Sequence, residues 1–450
     1  MLEKTTRDFF DIFRRLKNRD FSGNTGLAIK NSIYQFSTNF VLKIGSLVFT
    51  VIIARLLMPE LFGLYNLALS TILIFFVISN MGIGPALVRF VSKELEKRKQ
   101  KNPGAYVFYI GKVKALLYFV SALILILSAR FISNVYYQKP IYLALIAGAF
   151  YIFFYGLATF FEYILQASNL FNKIFYKEII FQILRVIVVP LAILLALKNL
   201  LSNDQVLFYL FIALGISYFL ISAFMFFFQI KKINYLSNGQ KPLNRLQKKA
   251  TNKFLAAVSI TIFSGLFFEY IDKIMLGHYV PAEFIGYYSA ALGLIGTFIA
   301  LEGFGAALLP IFSRAGEKTL NIGLSKALKV VLFFSLIVVI LSFVLAPVIV
   351  NAVYGSEYAP ASGMLKLLSV LLIPLPLISI FSTFFISKGT PQVITKLLLA
   401  STVINITLNY ILITSLLPYG NIMAVYGAGI ATIISQFFYL GGLIFTKKNA

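Results

Sequence analysis

Apolar residues recur along this chain in long, nearly unbroken runs separated by short polar segments. The runs fall near 28–54, 62–84, 106–134, 140–166, 172–197 and 204–230. After a polar break they resume near 254–277, 284–312, 325–351, 361–387, 392–415 and 422–446. A helix needs roughly 20 apolar residues to cross a bilayer, and each run is about that long. The pattern predicts an all-α polytopic membrane protein with about 12 transmembrane helices.

The basic residues orient these spans. With the N-terminus inside, the inner segments hold Lys4, Arg7, Arg14, Arg15, Lys17, Arg19 and Lys30, then Arg89, Lys93, Lys97, Arg98, Lys99, Lys101, Lys112 and Lys114. A third group is Lys231, Lys232, Lys241, Arg245, Lys248, Lys249 and Lys253. The outer segments hold few: Arg55, Arg130, Lys139 and Lys198. Lys and Arg collect on the cytoplasmic side, so both termini are expected there. Residues 1–21 lack the apolar core of a signal peptide. Phe9, Ile12, Phe13 and Leu16 recur at helical spacing among basic residues, which predicts an interfacial amphipathic helix. The expected organisation is an amphipathic segment 1–26, a six-helix lobe 27–230, a basic linker 231–252 and a second six-helix lobe 253–450.

Composition narrows the function classes. Only 12% of the 450 residues are charged, and mean hydropathy is +0.88. A soluble chain carries about twice that charge, so a soluble enzyme on one anchor is excluded. The net charge of +24 is read as topology rather than as nucleic-acid binding. Cysteine is absent and His278 is the single histidine, which argues against thiolate or histidine metal sites and against a catalytic triad. No P-loop appears, and the outer loops are too short to carry an enzyme's site. No resident cofactor is expected; H⁺ or Na⁺ coupling and the membrane potential are the candidate energy sources.

Polar side chains inside the apolar runs are the candidate chemistry, since a charge at mid-bilayer costs at least ~2.5–3.5 kcal/mol. In the first span Asn31, Gln35, Asn39 and Lys43 follow one another at i, i+4, and Ser46 and Thr50 continue the stripe. Lipid cannot solvate that face. It lines a cavity, or it bonds to another helix with Lys43 paired to a carboxylate. Arg185 in the fifth span suits a pyrophosphate as a fork, or a structural carboxylate. Asp272 and Lys273 lie toward the outer end of the seventh span. Glu269 and Glu302 are deeper acids; with Asp272 they are the candidates for a coupling ion, and they serve equally well to neutralise Lys43 or Arg185. Thr402, Asn405 and Asn409 share a face of the eleventh span, for sugar hydroxyls or for helix packing. Pro190, Pro310, Pro347, Pro374 and Pro376 interrupt apolar helices, and the tenth span should be the most bent.

An internal repeat organises the whole. Pro59-Glu60-Leu61-Phe62-Gly63-Leu64-Tyr65 follows the first span, and Ala282-Glu283-Phe284-Ile285-Gly286-Tyr287-Tyr288 follows the seventh. Gly63 then aligns with Gly286 and Tyr65 with Tyr288, 223 residues on. The turn at 166–169 has its counterpart at 387–390. Two six-helix halves in the same orientation imply a pseudo-twofold axis along the membrane normal and a central cavity.

Three segments carry a family resemblance. They are Ala54-Arg55-Leu56-Leu57-Met58-Pro59-Glu60-Leu61-Phe62-Gly63-Leu64-Tyr65, then Asn80-Met81-Gly82-Ile83-Gly84-Pro85-Ala86-Leu87-Val88-Arg89-Phe90, then Asp272-Lys273-Ile274-Met275-Leu276-Gly277 leading into Gly286-Tyr287-Tyr288. With Tyr354-Gly355-Ser356-Glu357-Tyr358, Ala361, Asn405, Asn409 and Gly427-Ala428-Gly429-Ile430-Ala431-Thr432, the chain resembles the polysaccharide-biosynthesis (Wzx-type) oligosaccharide flippases of the MOP exporter superfamily. Asn80 departs from the acidic residue many relatives carry there. The resemblance implies two lobes in a V that open alternately, in the cytoplasmic membrane of a prokaryote. It also implies transfer of a polyprenyl-pyrophosphate-linked oligosaccharide to the outer leaflet. Substrate contacts are then expected from Asn31, Gln35, Asn39, Lys43, Arg185, Lys273, Asn405 and Asn409. Besides the glycan lipid and membrane lipids, glycan-assembly enzymes are candidate partners of inner loops such as 93–104. Twelve spans fit the O-antigen-type branch better than the fourteen-span peptidoglycan lipid flippases. The alternative is a multidrug exporter of the same superfamily exchanging cations for H⁺ or Na⁺; that chemistry favours a central acid, whereas the first-span stripe carries Lys43.

Overall fold

The structure is a computed structural model describing residues 23–97, 102–237, 241–301 and 317–448. The expected amphipathic helix at 1–21, Glu302 and Pro310 lie outside the described residues. So do Arg98, Lys99 and Lys101.

The first described element is α1, Gly23–Asn80, whose backbone is helical except at Met58 (φ 58°, ψ 169°). That one residue divides α1 into limbs α1a (23–57) and α1b (59–80). Pro59 suits the first position of the second limb, where no intrahelical N–H is needed. The limbs run in opposite directions. Asn31 near the start donates to Asn169 in the turn after the fourth span (3.4 Å), and Gly84, just past the end of α1b, lies against the Tyr163 ring close to that same turn. Both ends of α1 therefore meet one end of the molecule, with Met58 at the other.

The rest of the first lobe comprises α2 (Ile83–Glu96), α3 (Pro103–Arg130, prolonged by a π-helical turn Phe131–Tyr137), α4 (Tyr142–Ala167), α5 (Phe171–Lys198) and α6 (Asn203–Met225). A capping box of Ser202 and Gln205 starts α6. The second lobe holds α7 (Arg245–Tyr279), α8 (Ala282–Leu301), α9 (Glu317–Tyr354), α10 (Ala361–Leu368), α11 (Pro374–Ser387), α12 (Pro391–Leu416) and α13 (Asn421–Lys448). Asn244 and Gln247 cap α7 reciprocally. A 3-10 turn at Ser369–Leu372 separates α10 from α11, which Pro374 opens, so the tenth span is broken where its prolines predict. Among the described residues, eleven helical stretches are long and apolar enough to cross a membrane. The first contains both limbs of α1, which makes twelve passages, six per lobe.

α3 and α9, the third helix of each lobe, turn large apolar side chains outward, among them Leu116, Phe119 and Leu127 on one and Phe333, Ile340 and Val344 on the other. Such surfaces are stable only against lipid tails. The buried core runs instead through α1, α4, α6, α8 and α10. The lobes join at the Met58 end. Arg55 donates to the carbonyls of Val353 (2.8 Å) and Ala352 (2.5 Å), and the buried Tyr358 donates to Ala54 O (2.8 Å). They also join along α7. Lys139 donates to Gly277 O (2.5 Å) at one end, with burial pushing its ammonium below the usual lysine pKa. At the other end Arg89 stacks on Phe254 (4.6 Å) and Tyr109 donates to Asn252 (2.9 Å).

The repeat reappears as geometry. α1b and α8 cross so closely that a Cβ on Gly63 would collide with the carbonyl of Ala282, and one on Gly286 with the carbonyl of Pro59. Gly63 and Gly286 are repeat partners, and so are Pro59 and Ala282. Residue i of one half thus meets residue j of the other, and j meets i, the reciprocal contact of a twofold interface.

Candidate functional site

Each lobe holds a polar centre between its first and fifth spans. In the first lobe α5 packs on α1. Glycine at 45 lets the Gln182 side chain lie against the α1a backbone. Around it lies a cavity of about 360 Å³, walled by Gln35, Thr38, Asn39 and Ser46 of α1a, Tyr155, Glu162 and Tyr163 of α4, and Lys177, Glu178, Gln182 and Arg185 of α5. From Gln35 to Ser46 the helix rises about 16 Å, so the cavity reaches from one end of the lobe toward its middle.

The ionic groups inside it form a chain. Lys177, buried, pairs with Glu162 and with Glu178 (2.9 Å). Gln182 donates to the other Glu178 oxygen (2.5 Å). Arg185 donates to Gln182 Oε1 (2.6 Å) and to Ser46 (3.2 Å), and its guanidinium stacks on Phe49 (4.4 Å) and Phe181 (5.4 Å). Its buried Nε has no partner among the described residues. Arg185 therefore has no direct carboxylate among the described residues, and Glu269 does not neutralise it.

The stripe on α1a divides. Gln35, Asn39 and Ser46 enter the cavity, and Asn31 reaches the α4–α5 turn. Lys43 is not on the cavity wall. It is exposed and has no hydrogen bond or ion pair among the described residues. Thr50, two turns on along the same flank, approaches Gly293 of α8. Lys43 thus lies on the side of α1a turned to the second lobe.

In the second lobe the equivalent helices, α7 and α12, hold Asp272. This buried carboxylate accepts from Asn409 (2.8 Å) on one oxygen, and from Tyr288 (2.6 Å) and Thr432 (2.5 Å) on the other. Asn405 donates to Thr432 (3.2 Å), and Asn409 also to Asn405 O (3.0 Å). The side-chain oxygens of Asn405 and Asn409 are buried without a partner among the described residues. Asn405 and Asn409, expected on the substrate cavity, are therefore fully buried around Asp272. Lys273 turns away toward the Tyr270 ring (5.2 Å), and Glu269, one helical turn earlier, is exposed. No ion pair joins Lys273 to Asp272 or Glu269 among the described residues.

The sequence pattern did not single out Glu162, Lys177, Glu178 and Gln182. The first three lie near the ends of the fourth and fifth spans, where a charge reads as interfacial. The available signal was their density: with Lys173, four charged residues fall within 17 positions around one tight turn.

Two six-helix halves crossing at paired glycines, each with a polar centre between its first and fifth spans, define a two-lobed membrane transporter fold. Solved structures share it. A lipid II flippase, MurJ, in an inward closed conformation matches with a TM-score of 0.71 at 17% identity, over 92% of this chain and 87% of that one. An inward-facing multidrug resistance MATE family transporter of the MOP superfamily matches with a TM-score of 0.58 at 14% identity, over 93% and 96%. The chain belongs to the polysaccharide biosynthesis protein family, whose model matches residues 28–316. It is also 24% identical over 397 residues to an uncharacterized membrane protein, MJ1068, of Methanocaldococcus jannaschii, covering 83% of this chain and 75% of the relative.

Proposed function

We propose that this protein moves a polyprenyl-pyrophosphate-linked oligosaccharide from the cytoplasmic to the outer leaflet of a prokaryotic cell membrane by alternating access. The observation that carries the proposal is Lys43. A lysine in the middle of a spanning helix, exposed, unpaired among the described residues and turned toward the opposite lobe, is poorly placed for lipid and well placed for an anionic headgroup in a wet cleft. Lysine offers pyrophosphate a point charge. Family membership supports a glycan cargo, and the MurJ fold supports a lipid-linked one. With the basic segments inside, the Met58 end where Arg55 and Tyr358 join the lobes faces out, and in this reading the lobes part on the cytoplasmic side beside Lys43, where such lipids are assembled.

Coupling belongs to Asp272 in this reading. Its carboxylate, the two unpartnered amide oxygens of Asn405 and Asn409 and the Thr432 hydroxyl bring oxygen ligands together, which suits a hard cation such as Na⁺, or a proton on the carboxylate. Arg185, already bound to Gln182 and Ser46, is a weaker candidate for the pyrophosphate than Lys43.

The test is leaflet exposure of a fluorescent polyprenyl-pyrophosphoryl oligosaccharide in proteoliposomes, under imposed Na⁺ and proton gradients. The wild type should transfer it, and Lys43→Ala should not while remaining folded. Full transfer by Lys43→Ala would remove that residue from the mechanism. A drug-exporter reading draws on the exposed Glu269 and on the MATE fold; efflux of cationic dyes without lipid transfer would favour it.

A further inference from the structure

The cavity in the first lobe has a use of its own. We propose that it is a recognition pocket for one neutral, hydroxyl-rich glycosyl unit of the transported lipid, separate from the place where the pyrophosphate binds. This rests on the reading of the protein as a glycan carrier and gives sugar recognition to residues of α1a, α4 and α5.

Charge is the first argument. Four ionisable side chains border the cavity: Glu162, Glu178, Lys177 and Arg185. Their formal charges cancel, and Lys177 bridges the two acids. An anion entering there would meet two carboxylates and compete with them for their own cation, whereas a neutral ligand would not.

Hydrogen-bonding capacity is the second. Both Glu178 oxygens are engaged, one by Lys177 and one by Gln182. Glu162 takes Lys177 on one oxygen, and its other has no partner among the described residues. Among the described residues Arg185 has its Nε free, and the Gln35 and Asn39 amides line the wall without partners. Free donors and free acceptors therefore stand side by side. A hydroxyl donates once and accepts twice, so it satisfies both kinds.

Shape is the third. The rings of Tyr155, Tyr163 and Phe181 give the cavity apolar walls on which the C–H faces of a pyranose can pack. At about 360 Å³ it lies at the small end of ligand pockets. It suits a short glycosyl unit, with the remaining sugars in the cleft. Gln35 and the α4–α5 turn stand at its cytoplasmic end, the side from which a newly assembled lipid arrives.

The experiment is saturation-transfer NMR on the purified full chain in lipid nanodiscs. The probes are methyl glycosides of neutral hexoses, N-acetylhexosamines, 6-deoxyhexoses and hexuronates, with inorganic pyrophosphate as competitor. At least one neutral glycoside should bind, and excess pyrophosphate should not displace it. Glu162→Ala should weaken binding roughly tenfold, as loss of a bond to a charged acceptor does. Gln35→Phe should give a similar loss by plugging the mouth from an exposed position, with every ion pair left in place, so lost binding is separable from misfolding. Failure of all neutral glycosides to bind overturns the proposal. So does displacement by pyrophosphate, or preference for hexuronates, which would make the pocket an anion site. The readout needs no transport: lipid transfer without glycoside binding sinks the pocket alone, and glycoside binding without lipid transfer sinks the carrier reading alone.

Discussion

Lys177 holds together two acids that would otherwise stand unpaired in a lobe surrounded by lipid. Breaking a buried pair by removing one partner costs about 3–5 kcal/mol, because the remaining charge has nowhere to go. Lys177→Met should therefore lower thermal stability in detergent by several degrees or prevent folding. Adding Glu162→Gln and Glu178→Gln to it should recover most of that loss, which fluorescence-detected size exclusion on a temperature ramp would show. If the triple variant is no better than the single, Lys177 acts through packing rather than charge. Asp272 is the complementary case. Asp272→Ala leaves the donors of Tyr288, Thr432 and Asn409 without an acceptor, each worth about 1–3 kcal/mol when buried. Asp272→Asn keeps an acceptor but not the charge. It should fold, and it should lose any stabilisation by Na⁺ seen in the wild type; a thermal shift across a Na⁺ titration checks this. A variant still stabilised by Na⁺ to the same extent would place the coupling ion elsewhere. At this scale the sequence was half legible. Asp272, Asn405, Asn409 and Arg185 stand out because lipid cannot solvate them, but a helix face names no partner. Nothing in the i, i+4 spacing of Asn405 and Asn409 says that they meet Asp272 of another helix rather than a sugar.

The glycines at 63 and 286 have no such ambiguity, because their spacing fixes the crossing of two elements. α1b and α8 meet where each lacks a Cβ, and each backbone approaches the carbonyl of the other's preceding turn. A side chain at either place must push the helices apart. Gly63→Val or Gly286→Val should weaken the joint at the Met58 end, and the pair together should weaken it further, since both act on one contact. The measurement is the reactivity of a single cysteine placed at Tyr358, buried at that joint. The protein has no native cysteine, so no other thiol interferes. Protection equal to that of the unmutated helices would show that the crossing is not what closes this end. Elements were the most legible level of the chain. Apolar runs set by membrane thickness mark the spans, and the repeat alone pairs Gly63 with Gly286. What remained hidden was the reversal at a single residue: Met58 at φ 58° carries no turn signature, since a left-handed position usually calls for glycine.

For the molecule as a whole, oriented as proposed with the Met58 end outward, the two lobes meet at that outer end and along α7, while α5 and α12 pack within their own lobes. The proposed outward movement of a headgroup requires the contacts of Arg55 and Tyr358 to part while the edges beside α5 and α12 approach. Rigid lobes moving as bodies leave their internal polar centres unbroken, which matters because unpaired buried charges would add a barrier of several kcal/mol to each cycle. Two spin-label pairs distinguish this from local gating. Leu200 and Tyr419 are exposed at the outer end, one in each lobe, and Tyr176 and Gln392 are exposed at the inner end. Under a gradient that drives transport, the first distance should lengthen and the second shorten in step, and labels within one lobe should keep their separation. An outer pair that opens with no change at the inner pair would mean that a loop or helix end moves alone. The reciprocal glycine crossing would then be a fixed weld between the lobes and not the joint about which they rock.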